Sequence, residues 1–212
     1  MPTSPAYDRF IKSMQVGYDQ WHDGIGYDLD ALAALTADER ADARKLLAAR
    51  AGRDWRDVEA LEALQKLEAG TDARSIEATD AALRESLESG SIDARLRALA
   101  ALRAAGKIAA DEFDGHLAQE IRRAQIYGGL TPALDLVERY PSDVAKRALL
   151  DRCKTPSDVA VHCAAMLFYL AGIAREPFDW DHRPFFLRLN GDDRAAHIAA
   201  FEELCDRVGM KA

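Results

Sequence analysis

The sequence predicts an all-α protein built from short helices, and three observations carry that prediction. Ala and Leu outnumber Val, Ile and Thr, a balance that favours helix over strand. Apolar residues recur at helical spacing in one segment after another, and no stretch alternates with period two for long enough to make a strand. The intervals between helical segments are short, as in chains that join antiparallel neighbours. About nine to eleven helices follow from this pattern, arranged as a bundle or as a stack of helical hairpins.

Taken in order, a first helix runs to about Gln15 with Phe10, Ile11 and Met14 on one face. Gly24 and Gly26 break the pattern, and Asp28 or Asp30 can cap a short turn. Thr36 and Glu39 have the spacing of a capping box, so a helix opens there and stops at Gly52. The next opens at Asp54, carries Trp55, Val58, Leu61, Leu64 and Leu67, and closes at Gly70. Another spans Thr71 to about Ser89 with Ile76, Leu83 and Leu87. Ile92, Leu96, Leu99 and Leu102 mark one face of the helix that follows. A helix over about Asp111–Tyr127 is ended by Gly128-Gly129, and Pro132 sits in the first turn of its successor, where a missing N–H costs nothing. "PSDVA" occurs at 141–145 and again at 156–160, each a serine cap followed by a first-turn aspartate. The second copy opens the most apolar segment, Val159–Ile173, and a last helix over about Asp192–Val208 turns Ile198, Phe201, Leu204, Cys205 and Val208 inward.

The bulk numbers narrow the function classes. The 212 residues suit a single domain, and 49% hydrophobic with 30% charged residues is ordinary globular composition. The net charge of −8 lacks the cationic footprint of a protein that grips a phosphate backbone, which disfavours nucleic acid as a partner. Acid concentrates in 54–88, with ten Asp/Glu against four Arg/Lys, so one helical pair is expected to present an acidic face that could steer a basic partner. Cys153, Cys163 and Cys205 form no C-x-x-C pair and read as small core residues in a reducing compartment. The opening "MPTSPAYDRF" is not a secretion signal, and the apolar segment falls short of the ~20 residues a bilayer needs. A cytoplasmic location without a membrane partner is expected.

The segment "SIDARLRALAALRAAGK" resembles the second helix of a HEAT repeat, through Asp93, Arg95, Ala98, Leu99, Leu102 and Gly106. Asp143, Arg147, Ala148 and Leu149 repeat part of the pattern, and Asp158 begins a third copy with His162 where an arginine often stands. "GIGYDLDAL" at 24–32 and "EPFDWDHRPFFLR" at 176–188 look like segments of small bacterial HEAT-like proteins. The resemblance implies a right-handed α-α superhelix: an N-terminal cap over 1–35, HEAT-like pairs over 36–173, and a C-terminal cap with the last helix over 174–212. Terminal units need a different outer face, which suits the aromatic ends.

The segment 176–188 is the most unusual in the chain. Asp179, Asp181 and His182, with Asp192 and Asp193 nearby, are metal-type ligands, but D-x-D is not a diagnostic spacing. The favoured reading pairs Asp179 and Asp181 with Arg175, Arg183 or Arg188 and buries Phe178, Trp180, Phe185 and Phe186 as an end plug. A partner surface on Trp180, Asp181, His182 and Arg183 is compatible with it, since Trp and Arg are enriched at interface hot spots. Asp57, Glu62, Glu77 and Asp80 are the corresponding acidic candidates. His162 is expected to hydrogen-bond Asp158 one turn back, and Gly24-Ile25-Gly26 reads as a turn beside the capping aromatics Tyr18, Trp21 and Tyr27. Arg95, Arg97, Arg103, Arg122, Arg123, Lys146 and Arg147 would suit an acidic ligand if they lined one face. The expectation is a non-enzymatic protein-binding module without cofactor or metal, such as an immunity or adaptor protein with a protein partner. The alternative is a HEAT-like enzyme or nucleic-acid-binding protein of the DNA-glycosylase kind.

Overall fold

The computed structural model describes residues 3–50, 52–69 and 73–211; the side chain of Trp21, and the expected helix boundaries at Gly70 and Thr71, lie outside the described residues. All regular structure within them is helical: thirteen α-helices and one 3-10 turn, with an isolated bridge pairing at Gln125–Gly128. The chain divides into two compact units, Met1–Lys107 and Ile108–Ala212. That division falls inside the 36–173 stretch that the sequence reads as one run of pairs.

The first unit holds α1 (Pro5–Ser13), α2 (Tyr18–His22), α3 (Leu29–Ala33), α4 (Ala37–Arg50), α5 (Trp55–Leu67), α6 (Ala73–Ser89) and α7 (Ile92–Ala104). Its helix starts follow local chemistry. Thr36 Oγ1 accepts from Glu39 N–H while the Glu39 carboxylate accepts from Thr36 N–H, the reciprocal pair of a capping box. Asp54 and Ser91 cap α5 and α7 by accepting from Arg56 N–H and Ala94 N–H. Phe10, Leu47, Leu61, Leu64, Leu83 and Leu99 are fully buried at the centre. Gly52 has φ +90°, and a Cβ there would lie 2.8 Å from Gly90 Cα. This close approach lets Ser91 N–H reach Gly52 O at 2.7 Å and locks the α4–α5 turn onto the α6–α7 turn.

Three buried polar clamps tie these helices together. Arg44 donates to Glu68, and also to Thr79 Oγ1 at 3.1 Å, linking α4, the end of α5 and α6. Arg40 adds a second cation 3.5 Å from Glu68. Arg56 donates to the carbonyls of Ile25 and Gln20 and to the Asp54 carboxylate, fixing the glycine-broken N-terminal loop to α5. Tyr27 is buried, and its hydroxyl donates to Asp57 at 2.9 Å, with Arg50 3.3 Å from the same carboxylate. Tyr18, by contrast, is exposed.

The second unit holds α8 (Ala110–Arg123), α9 (Leu130–Arg139), α10 (Asp143–Arg152), α11 (Asp158–Leu170), the 3-10 turn Trp180–His182, α12 (Arg183–Leu187) and α13 (Arg194–Val208). Both PSDVA serines cap as expected, Ser142 accepting from Ala145 N–H and Ser157 from Ala160 N–H. Helix α11 is buried on nearly all sides, including Phe168 at 0% exposure. Cys153, Cys163 and Cys205 are free and buried in this core; burial pushes the Cys163 thiol up to about 12.

Three expectations are corrected in this unit. Helix α8 ends at Arg123 rather than near Tyr127. Gln125 and Gly128 exchange two backbone hydrogen bonds, and Arg152 takes the carbonyls of Arg122 and Ala124 from across the unit. Ile198 is exposed rather than inward. Asp158 does not pair with His162: it accepts from Asn190 at 2.6 Å, and the His162 ring lies against Phe178 at 5.2 Å.

In each unit, packed helices are neighbours or next neighbours along the chain, as in α4 on α5 and α6, or α10 on α8 and α11. The Arg44–Glu68 clamp gives a direct test of what holds the first unit together. Glu68→Ala leaves two cations beside a buried gap and should cost about 3–5 kcal/mol in urea denaturation. The double change Arg44→Met, Glu68→Leu should cost much less, because no charge is stranded.

Candidate functional site

The segment 174–188 is organised by one carboxylate. Asp179 is 4% exposed and accepts from the backbone N–H and Nε of Arg175, both at 3.2 Å, and from Asp181 N–H at 3.1 Å. The Arg175 side chain, with these backbone donors, holds the Asp179 carboxyl at about 2, well below the usual carboxylate range. Arg175 also reaches Asp181 at 2.7 Å, so a single arginine pairs with both aspartates. Arg183 and Arg188, the other expected partners, are placed elsewhere: Arg188 donates to Glu203 at 2.6 Å and lies over Phe185.

With Asp179 capping the 3-10 turn, the side chains that follow divide between two faces. Phe185 and Phe186 pack on Phe168 with ring centroids 5.1 Å away in each case. His182 lies 5.3 Å from Phe168, and its Nε2 is 3.3 Å from Ile173 O. Phe178 lies between His162 and Phe186, and Arg207 covers Phe185 at 4.9 Å. This half is the expected end plug, and His182 packs against it while remaining half-buried.

Trp180 does not fill the plug as expected. It is 66% exposed, touching Phe178 edge-on at 6.0 Å. Arg183 lies over its indole at 5.2 Å, and Leu187, one turn beyond Arg183, is 45% exposed. Trp180, Arg183 and Leu187 therefore form an outward strip beside the aromatic plug. Leu187 escapes a reading by residue type, but its spacing from Trp180 and Arg183 on one helical face carries the signal.

The acidic candidates do not form a comparable surface. Asp57 is 0% exposed and held by Tyr27 and Arg50, which takes it off the surface. Burial raises its carboxyl above the usual range. Glu62 pairs with Lys66 at 2.6 Å and with Arg97 at 3.6 Å. Asp80 accepts from Gln65 and pairs with Lys107 at 2.8 Å. Glu77 is exposed on α6. The excess acid of 54–88 is met largely by cations from outside the stretch: Arg40, Arg44, Arg50, Arg97 and Lys107.

Comparison of the chain with family models, curated proteins and solved structures found no match. The site's chemistry therefore rests on its own geometry. Among the described residues, no three His, Cys, Asp or Glu side chains are grouped so as to hold a metal ion, and no helix is long and apolar enough to cross a membrane. The basic residues singled out by sequence are mostly engaged. Arg95 donates to Gly90 O, Arg97 pairs with Glu59, Arg122 with Asp151, and Arg123 with Glu120.

Because the Asp179 carboxylate is depressed, its contribution is complete above about pH 4 and is lost as pH falls through about 2. The segment 175–182 should loosen in that window. Glu39, held at about 2 by the backbone N–H groups of Thr36 and Ser4, titrates in the same range, so the probe must be local. The indole NMR signal of Trp180 should shift between about pH 4 and 2, and Asp179→Ala should produce the loosened signal already at neutral pH.

Proposed function

We propose that the chain is a non-enzymatic protein-binding module of HEAT-like helical stacks, anchored to its partner by Trp180, Arg183 and Leu187. The observation that carries this reading is Trp180, 66% exposed yet held in place by Phe178 below and Arg183 beside it. An exposed indole would gain from burial in a partner's pocket, and a pre-ordered side chain loses little entropy when it docks. Arg183 supplies a planar set of donors next to the indole, which suits a carboxylate at the rim of that pocket.

The HEAT-like part is supported by the packing order, in which contacts run between near neighbours along the chain as in quasi-one-dimensional repeats. A protein of this size and build suits a role that neutralises or escorts another protein, as an immunity or adaptor protein does; that part rests on analogy of fold and size. The partner chemistry differs from the basic partner that composition suggested. With Asp57 buried and Glu62 and Asp80 paired, the stronger anchor is the aromatic and cationic strip, and its complement is apolar and acidic.

Affinity capture from the native host at physiological salt tests the reading. The wild-type chain should retain a protein that Trp180→Ala and Arg183→Ala each lose, with a fall of about 30-fold or more in affinity for a hot-spot residue. Glu77→Gln should retain it. Capture of no protein, or equal capture by all variants, would overturn the proposal.

A further inference from the structure

A second site lies in the unit Ile108–Ala212, on elements that take no part in the Trp180 strip. The start of α10, the end of α11 and the end of α13 line an open cavity of about 430 Å³. Lys146 and Arg147 of α10, with Lys211 beyond α13, bring cationic side chains to it. Leu167 and Leu170 of α11, with Val208 and Met210, form its apolar lining, and Asp143 is the one carboxylate among the described residues that line it.

The cations are lightly engaged. Lys146 lies 3.7 Å from Asp143, whose side chain is fully exposed, so that contact is weak. Arg147 donates one Nη1 hydrogen to Lys211 O, which straps residues 209–211 over the cavity. Among the described residues no carboxylate lies within ion-pair distance of Arg147. At the helix ends nearby, the carbonyls of Leu167, Phe168 and Tyr169 in α11 accept from Ala171, Ile173 and Gly172 N–H, and those of Cys205 and Asp206 in α13 accept from Met210 and Gly209 N–H. Asp143 begins α10, so that helix presents the positive end of its dipole to the same end of the unit.

We infer that this cavity is a binding site for a small amphiphilic carboxylate. The head group would pair with Arg147 and Lys146, and the hydrocarbon chain would lie against Leu167, Leu170, Val208 and Met210. Arg147 still holds four unused N–H donors, and a fork of donors matches a carboxylate in a way that a lone lysine does not. The cavity volume lies within the range of small-ligand sites, and its split between cationic rim and apolar wall matches one charged end and one apolar end.

Isothermal titration of the full chain with octanoate tests this. Saturable binding with one site is expected, with methyl NMR shifts confined to the lining residues Leu167, Leu170, Ala171, Val208 and Met210. Lys146→Ala, which disturbs only a weak surface pair, should lower affinity about tenfold, as loss of one charge-assisted contact does. Arg147→Lys keeps the charge and removes the fork, and should also weaken binding. Octanol lacks the head group and inorganic phosphate lacks the chain, so neither should bind at this site. Absence of saturable octanoate binding would overturn the proposal. So would equal affinity in Lys146→Ala, equal binding of octanol or inorganic phosphate, or methyl shifts elsewhere in the unit.

Discussion

The Asp179 carboxylate is the constraint on which the unusual end of this protein depends. It is buried, charged, and supplied with donors by Arg175 and Asp181. A buried carboxylate without such donors would be costly, so the backbone from 175 to 181 must curl around it. That curl starts the 3-10 turn at Trp180 and sets the rotational phase of everything up to Leu187. Phe185, Phe186 and His182 consequently meet Phe168, while Trp180, Arg183 and Leu187 point away. An aromatic plug and an exposed aromatic strip are thus two faces of one short helical run.

Electrostatics in the first unit follow the same course, with charge drawn inward and neutralised. The segment 54–88 carries a strong acidic excess in sequence, yet its carboxylates anchor arginines and a lysine from the preceding and following helices. Glu68 and Asp57 serve packing between helices, not solvent. Such pairs fix which helix lies on which, because a stranded buried charge costs more than the pair contributes. The surface strip at Trp180 and the cavity at Lys146 and Arg147 differ from this background. Their cations lie beside apolar groups and are not fully matched by carboxylates of the same unit.

How legible all this was in sequence depended on the range of the interaction. Helix starts at Thr36, Asp54, Ser142 and Ser157 were legible because a cap is decided within three residues. The all-helical class followed from periodicity. The end of α8 was not legible, since the turn at Gln125–Gly128 is backed by Arg152 from another helix. The partner of Asp158 was missed for a related reason: Asn190, far along the chain, outcompetes His162. In 176–188 the residue types announced aromatic burial and arginine–aspartate pairing. They did not reveal that the four aromatics divide between plug and surface, because that division depends on the phase set by Asp179.

The central claim is that Trp180 belongs to the surface and not to the fold. The most direct measurement is the stability of Trp180→Ala beside Phe186→Ala in urea denaturation. Trp180→Ala should change the unfolding free energy by less than about 1 kcal/mol, whereas Phe186→Ala, which empties the plug, should cost about 3–5 kcal/mol. A loss of about 3–5 kcal/mol on Trp180→Ala would contradict the claim and return the indole to the role of a structural cap.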